Sequence, residues 1–155
     1  MSKAFTREDD DAGATELPER IISSQPNLVT AEGLAAIDAE IEEHSRRQSE
    51  ANAAEDRDAG ARAARELRYW TVRRANAQLM PPPADNDEVR FGSSVTIERE
   101  DGRKNTWRIV GEDEADPARG TVSHVAPLAR ALMGRRVGDV VKAGATEAEI
   151  LSISV

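Results

Sequence analysis

Val95-Thr96-Ile97-Glu98-Arg99-Glu100-Asp101-Gly102-Arg103-Lys104-Asn105-Thr106-Trp107-Arg108-Ile109 decides the fold class of the second half of this 155-residue chain. Val95 and Ile97 alternate with Thr96 and Glu98, a period of two that lines one face of a strand with apolar side chains. Asp101-Gly102 supplies a tight hairpin turn, and Asn105, Trp107 and Ile109 alternate on the return strand. A third extended run, 121–125, leads into Pro127-Leu128-Ala129-Arg130-Ala131-Leu132-Met133, a short helix opened by proline and ended by Gly134. Residues 137–142 and 149–155 read as further strands. The expectation is a small antiparallel sheet covered by one short helix.

Upstream the period changes. Pro81-Pro82-Pro83 is a stiff boundary, because proline lacks the amide donor a helix needs. Before it, Thr30 offers an N-cap with Glu32 in the first turn. Leu34, Ile37, Ile41 and His44 then recur at spacings of 3, 4 and 3, and the stripe continues through Gln48 and Ala51 to about Ala54. A second helical run is expected from about Ala61 to Leu79, with Ala63, Leu67, Trp70 and Ala77 on one face. The short polar stretch 54–60, ending in glycine, joins the two as a helical hairpin. Residues 31–55 hold seven acids and two bases, and 56–80 hold six bases and three acids, so antiparallel helices would attract along their flanks. Solvation of one helix face is the alternative reading of Arg62, Arg65, Arg68, Arg73 and Arg74. The expected organisation is an α+β chain: a disordered acidic tail over 1–27, a hairpin over 28–80, a proline-rich linker over 81–87 and the sheet domain over 88–155.

Composition narrows the function. Five aromatics, 3% of the chain, argue against one thick core. No cysteine means no disulfide, no thiolate metal site and no cysteine nucleophile, which fits a reducing cytoplasm. No run approaches the roughly 20 apolar residues that span a bilayer, and the charged start 1–11 lacks the hydrophobic stretch of a signal peptide. A formal net charge of −8 opposes strong binding to bare nucleic acid, so a protein partner is expected.

Three motifs occur in order over about 65 residues: 89–97 (VRFGSSVTI), 108–116 (RIVGEDEAD), and 123–134 (SHVAPLARALMG) with Val137-Gly138-Asp139. Together they resemble the C-terminal domain of the Gre (GreA/GreB) family of bacterial transcription factors. Leu28-Val29-Thr30-Ala31-Glu32-Gly33-Leu34 is similar to the family's approach to its first long helix, Arg68-Tyr69 to part of its second, and 1–6 to the GreB branch. The resemblance implies an antiparallel coiled coil joined to an FKBP-like antiparallel sheet domain. It implies a monomer that docks by the globular part at the rim of the RNA polymerase secondary channel. Its coiled coil would enter that channel, where tip acids help hold a metal ion against backtracked RNA.

That resemblance places polymerase contacts on Glu112, Asp113, Glu114 and Asp116, and on Pro127 and Leu128 at the helix start. Taken alone, the acidic run reads as a solvated loop. Ala126 stands where the family usually has serine. Glu55, Asp56 and Asp58 are the acids at the expected tip and the candidate ligands for a Mg²⁺ shared with the polymerase, the chain itself holding no metal and no other cofactor. The family's tip motif is not reproduced, and the arms look shorter by roughly two helical turns each, about 10 Å of reach. An acidic helix–helix turn with no metal role is the alternative. His44 and His124 are lone imidazoles without the three or four ligands that zinc requires.

Four functions compete on these residues. The first is an elongation factor that stimulates the polymerase's own RNA cleavage without being an enzyme itself. The second is a cleavage-incompetent homologue that occupies the channel and competes with active factors. A prolyl isomerase is disfavoured because only Phe91 and Trp107 are aromatic in the sheet domain, and a plain coiled-coil adaptor because the C-terminal motifs are specific.

Overall fold

The structure, a computed structural model, describes residues 17–155. In chain order its elements are β1 (Asn27–Val29), α1 (Ala31–Ala53), α2 (Arg57–Ala75), β2 (Ala77–Leu79), β3 (Ser94–Arg99), β4 (Lys104–Val110), β5 (Thr121–Ser123), α3 (Pro127–Leu132), β6 (Val140–Ala143) and β7 (Thr146–Ser154). A single 3-10 turn, Pro117–Arg119, precedes β5. The fold class is α+β, as the change of period indicated. Among the described residues, no helix is long and apolar enough to cross a membrane.

The chain divides into two compact units. Among described residues the first comprises 17–24 with Ile37–Asn76, and the second comprises Gln25–Ala36 with Ala77–Val155.

In the first unit the apolar stripe of α1 is buried as its spacing requires: Ile37 is 1% exposed, and His44 and Ala51 are also buried. Ala63 is buried from α2. The expected charge pairing between the helices is realised at Arg74, whose Nε donates to Asp38 at 2.6 Å. Other charges pair elsewhere. Glu43 and Glu50 engage Arg46 on their own helix. Arg65 and Arg68 instead hold the segment before the hairpin: Arg65 Nε donates to the Pro18 carbonyl at 2.7 Å and Arg68 bonds Glu19. Arg20 pairs with Glu66 at 2.7 Å and lies 3.6 Å from the Tyr69 ring centroid, a cation–π contact. Of the tail expected over 1–27, residues 1–16 lie outside the described residues. Residues 18–20 form an ordered strap along α2, and 27–29 form a strand. Arg73 is 2% exposed, so the alternative of a solvated arginine face does not hold for it.

The second unit carries the main core, with Val95, Ile97, Ile109, Ala129, Leu132 and Ile150 all fully buried. Each large apolar side chain so removed from water contributes about 1.5–3 kcal/mol. The sheet order is β5-β4-β3-β7-β6, and Asp101-Gly102 turns β3 back on β4 with Val95 opposite Trp107. Gly102 has φ +83°, which a side chain would strain. The sheet is mixed where an antiparallel one was expected: β4 and β5 run parallel, because the 3-10 turn carries the chain back before it re-pairs. The last strands begin at 140 and 146, later and earlier respectively than the alternation suggested.

The helices also differ at their ends. α2 begins at Arg57, four residues before the expected start, because Asp56 caps it. It ends at Ala75, and 77–79 form β2, paired in parallel with β1. Met80 N–H continues this pairing to the Val29 carbonyl at 2.9 Å. Three-residue strands show no period, so neither was legible in the sequence.

Candidate docking loop and hairpin tip

The loop 111–116 follows β4, where its root is fixed by backbone pairing. His124 N–H donates to the Val110 carbonyl at 2.9 Å, which brings the segment before α3 beside the start of the acidic loop. Ala126 N–H then donates to the Ser123 carbonyl, and Pro127 opens α3. The acidic loop and the segment leading into α3 therefore start side by side in the second unit. Ala126, the N-cap, makes no side-chain cap bond, as expected of an alanine where serine would bond.

Glu114 plays a different part from its neighbours. Its carboxylate turns inward and accepts three hydrogen bonds, from Thr30 N–H at 3.1 Å, the Thr30 hydroxyl at 2.5 Å and Gly111 N–H at 3.2 Å. Thr30 Oγ1 in turn accepts from Gly33 N–H at 3.0 Å, the N-cap bond of α1. Two glycines make room for this. A Cβ on Gly33 would sit 2.0 Å from Glu114 Oε2, and one on Gly111 would sit 2.5 Å from the Leu28 carbonyl oxygen. Glu114 therefore latches the acidic loop to the start of α1. Asp116 is likewise committed: its side chain caps the 3-10 turn through Ala118 N–H, and its own N–H donates to Thr121 Oγ1 at 2.7 Å.

Beside the latch, Glu32 stays exposed. Its carboxyl is held below the usual range by its own backbone amide at the helix start, then by the Thr30 hydroxyl and the Arg108 guanidinium 3.8 Å away. Glutamate in a first helical turn is also favoured by the dipole.

At the hairpin tip of the first unit, Glu55, Asp56 and Asp58 are all exposed. Glu55 has φ +54°, the left-handed conformation that ends α1. Asp56 Oδ1 accepts from Ala59 N–H at 3.1 Å as the N-cap of α2. Asp58 lies in the first turn of α2, where negative charge is favoured. Among the described residues, no group of three or more His, Asp or Glu could hold a metal ion. The cap engages Asp56 Oδ1 and leaves its Oδ2 exposed, with the carboxylates of Glu55 and Asp58, as oxygen donors. His44 is buried and bonds Glu40 at 3.1 Å, one turn away on its own helix.

Sequence signals existed for two of these findings. Gly33 inside a helical run and Gly111 directly after a strand both mark close approach of other atoms, and that approach is made by Glu114 and Leu28.

A family model described as "Transcription elongation factor, GreA/GreB, C-term" matches residues 84–155, which include the acidic loop and α3. Transcription elongation factor GreB of Neisseria meningitidis serogroup B is 41% identical over 95 residues, covering 57% of this chain and 58% of that protein. Transcription elongation factor GreB of Pseudomonas aeruginosa is 39% identical over 129 residues, covering 71% and 77%. The crystal structure of GreA factor homolog 1 (Gfh1) of Thermus thermophilus superposes on 84% of this chain and 100% of that one, with TM-score 0.42 at 19% identity. The match spans a little over half the length of the Neisseria relative.

Proposed function

Since the chain belongs to the GreA/GreB family, we propose that it is an elongation factor that docks on RNA polymerase with its second unit, at the rim of the secondary channel, and presents its helical hairpin to that channel. The observation that carries this reading is the family match over 84–155, which spans the loop and helix start described above. Glu112 and Asp113 supply negative charge to a basic partner surface, beside Pro127 and Leu128. Asp116 and Glu114 shape the loop rather than touch the partner. The chain performs no chemistry of its own and at most stimulates the polymerase's intrinsic cleavage of backtracked RNA. It acts as a soluble monomer in the cytoplasm.

Two versions of this function differ at the tip. In a cleavage factor, a Mg²⁺ shared with the polymerase would supply an activated water. Glu55, Asp58 and the second carboxylate oxygen of Asp56, whose Oδ1 caps α2, are the oxygens that could be lent to it. In a channel-occupying regulator the tip needs no ligand. The carboxylates do not converge, and α1 and α2 span only 23 and 19 residues, about 35 Å and 29 Å. Both observations favour the regulator.

Docking is tested by titrating labelled protein with core RNA polymerase. Glu112→Lys with Asp113→Lys should weaken binding by on the order of 1–3 kcal/mol. Unchanged affinity of that double variant removes the acidic loop from the interface.

A further inference from the structure

In a chain of net charge −8, α2 holds six arginines against two acids, Asp58 and Glu66. Toward the hairpin tip of the first unit, α1 and α2 leave a groove of about 650 Å³ between them. Ala51, Ala54, Ala59 and Ala63 line it with side chains too small to fill it, and Arg47 and Arg62 reach it from the two helices. Ala51 and Ala63 are buried, whereas both arginines are exposed. Arg62 pairs with no carboxylate among the described residues, Asp58 one turn before it included. Arg47 gives its Nε to Glu43 at 2.8 Å and keeps its other nitrogens available. Three acids also line the groove, and each has a partner. Glu66 lies 2.7 Å from Arg20, Glu50 lies 2.5 Å from Arg46, and Asp56 Oδ1 accepts from Ala59 N–H.

The strap leads to this groove. Pro18 is held by Arg65, Glu19 by Arg68 and Arg20 by Tyr69, and Ile22 shares a cleft with Val72. It therefore runs parallel to α2, with its first residues nearest the tip. Arg65, which holds Pro18, itself lines the groove. Residues 8–16 lie outside the described residues and hold Glu8, Asp9, Asp10, Asp11 and Glu16 with no base. Residues 12–16, extended, span about 17 Å, whereas Arg62 lies one turn from Arg65, about 5 Å along the helix. The run 8–11 can thus reach both groove arginines with chain to spare.

We propose that residues 8–16 continue the strap into the tip groove, setting the carboxylates of 8–11 on Arg62 and Arg47 and covering the arginine face of the hairpin. Glu19 on Arg68 is already one such pairing, a short step up the same helix. A single exposed ion pair contributes little. The tether changes that balance: a short linker gives an effective concentration on the order of millimolar, so contacts too weak to hold a free peptide hold a linked one. Glu55 and Asp58 repel the same carboxylates and keep the segment on the groove side of Arg62. The cover is electrostatic, and it is independent of how the second unit docks.

The chain has no cysteine, so a nitroxide on Thr6→Cys labels the full-length protein at one site. Backbone amides of 47–51 and 59–66 should lose at least twofold in intensity at low salt. Salt at about 1 M, where the Debye length is about 3 Å, should restore them. So should neutralising the run with Glu8→Gln, Asp9→Asn, Asp10→Asn and Asp11→Asn, or replacing the exposed pair as Arg47→Gln with Arg62→Gln. Unfolding curves verify that the variants are folded. Equal broadening in the wild type and the neutralised run would mark mere proximity of a tethered segment and overturns the proposal. Insensitivity to salt overturns it as well. Broadening seen only when spin-labelled protein is mixed with isotope-enriched, unlabelled protein puts the segment on a second copy and also overturns it.

Discussion

The Glu114 carboxylate accepts from both the amide and the hydroxyl of Thr30, at 3.1 and 2.5 Å, and so ties an acidic surface loop to the N-cap of α1. Hydrogen bonds to a charged acceptor contribute about 1.5–3 kcal/mol, and removing the acceptor leaves Thr30 N–H and Gly111 N–H without their partner. We therefore expect Glu114→Ala to destabilise the protein by roughly 1.5–3 kcal/mol in urea unfolding. A loss below about 0.5 kcal/mol, the range of an ordinary surface substitution, would show that the latch is dispensable.

The two glycines around the latch give a sharper test. Gly33→Ala places a methyl group on Glu114 Oε2 and should destabilise the wild type. With Glu114 already alanine the obstruction is gone, and alanine is favoured over glycine in a helix by about 1 kcal/mol. The same change should then be neutral or stabilising. Additive costs in this double-mutant cycle would place the Gly33 constraint elsewhere. Gly111→Ala should stay destabilising in both backgrounds, because its obstacle is the Leu28 backbone carbonyl.

Acid should loosen the strap before it disturbs neutral-pH stability. Glu19 is held below the ordinary carboxylate range by its hydrogen bond to Arg68, with the Arg68 and Arg65 charges adding to it. A carboxyl depressed in the folded state contributes stability that is present above its unfolded pKa and lost as pH falls through the folded one. Melting temperatures from pH 6 down to pH 3 should therefore fall less for Glu19→Gln than for the wild type. Added salt should reduce the difference, since the pair is exposed. Identical slopes for the two proteins would mean that the strap carries no linked proton.

At the tip, Glu55 occupies the left-handed region at φ +54°, where glycine carries no Cβ penalty. Glu55→Gly should raise stability by about 0.5–1 kcal/mol while removing one candidate oxygen donor. Asp56→Ala should lower it by about 1 kcal/mol through the lost cap, with Asp56→Asn close to neutral. A stabilising Asp56→Ala would contradict the capping geometry.

Much of the fold was readable because local chemistry and long-range packing agree there. Asp101-Gly102 with its flanking alternation set the β3–β4 register, and Thr30 with the Ile37–His44 stripe set α1. What escaped was nonlocal or ambiguous. β1 and β2 meet across some fifty residues and are too short to show a period. The parallel step from β4 to β5 depends on a single 3-10 turn, and alternation does not encode strand direction. Asp56 among three tip acids, and Glu114 among four loop acids, look like their neighbours in sequence. Only the positions of Ala59, Thr30 and Gly111 identify Asp56 as a cap and Glu114 as a latch.

RNA cleavage by a stalled, backtracked RNA polymerase tests the proposed function most directly, with this protein alone and in competition with an active Gre factor. We expect weak or no stimulation by the wild type, and progressive loss of the active factor's stimulation as this protein is added. Replacing Glu55 and Asp58 together, with the Asp56 cap left intact, should leave that competition unchanged. Failure to compete at any concentration would contradict channel occupancy. Strong stimulation abolished by the double replacement would make the protein a cleavage factor acting through those two carboxylates. Strong stimulation that survives it in combination with Asp56→Asn, which keeps the cap oxygen but removes the carboxylate, would contradict both versions.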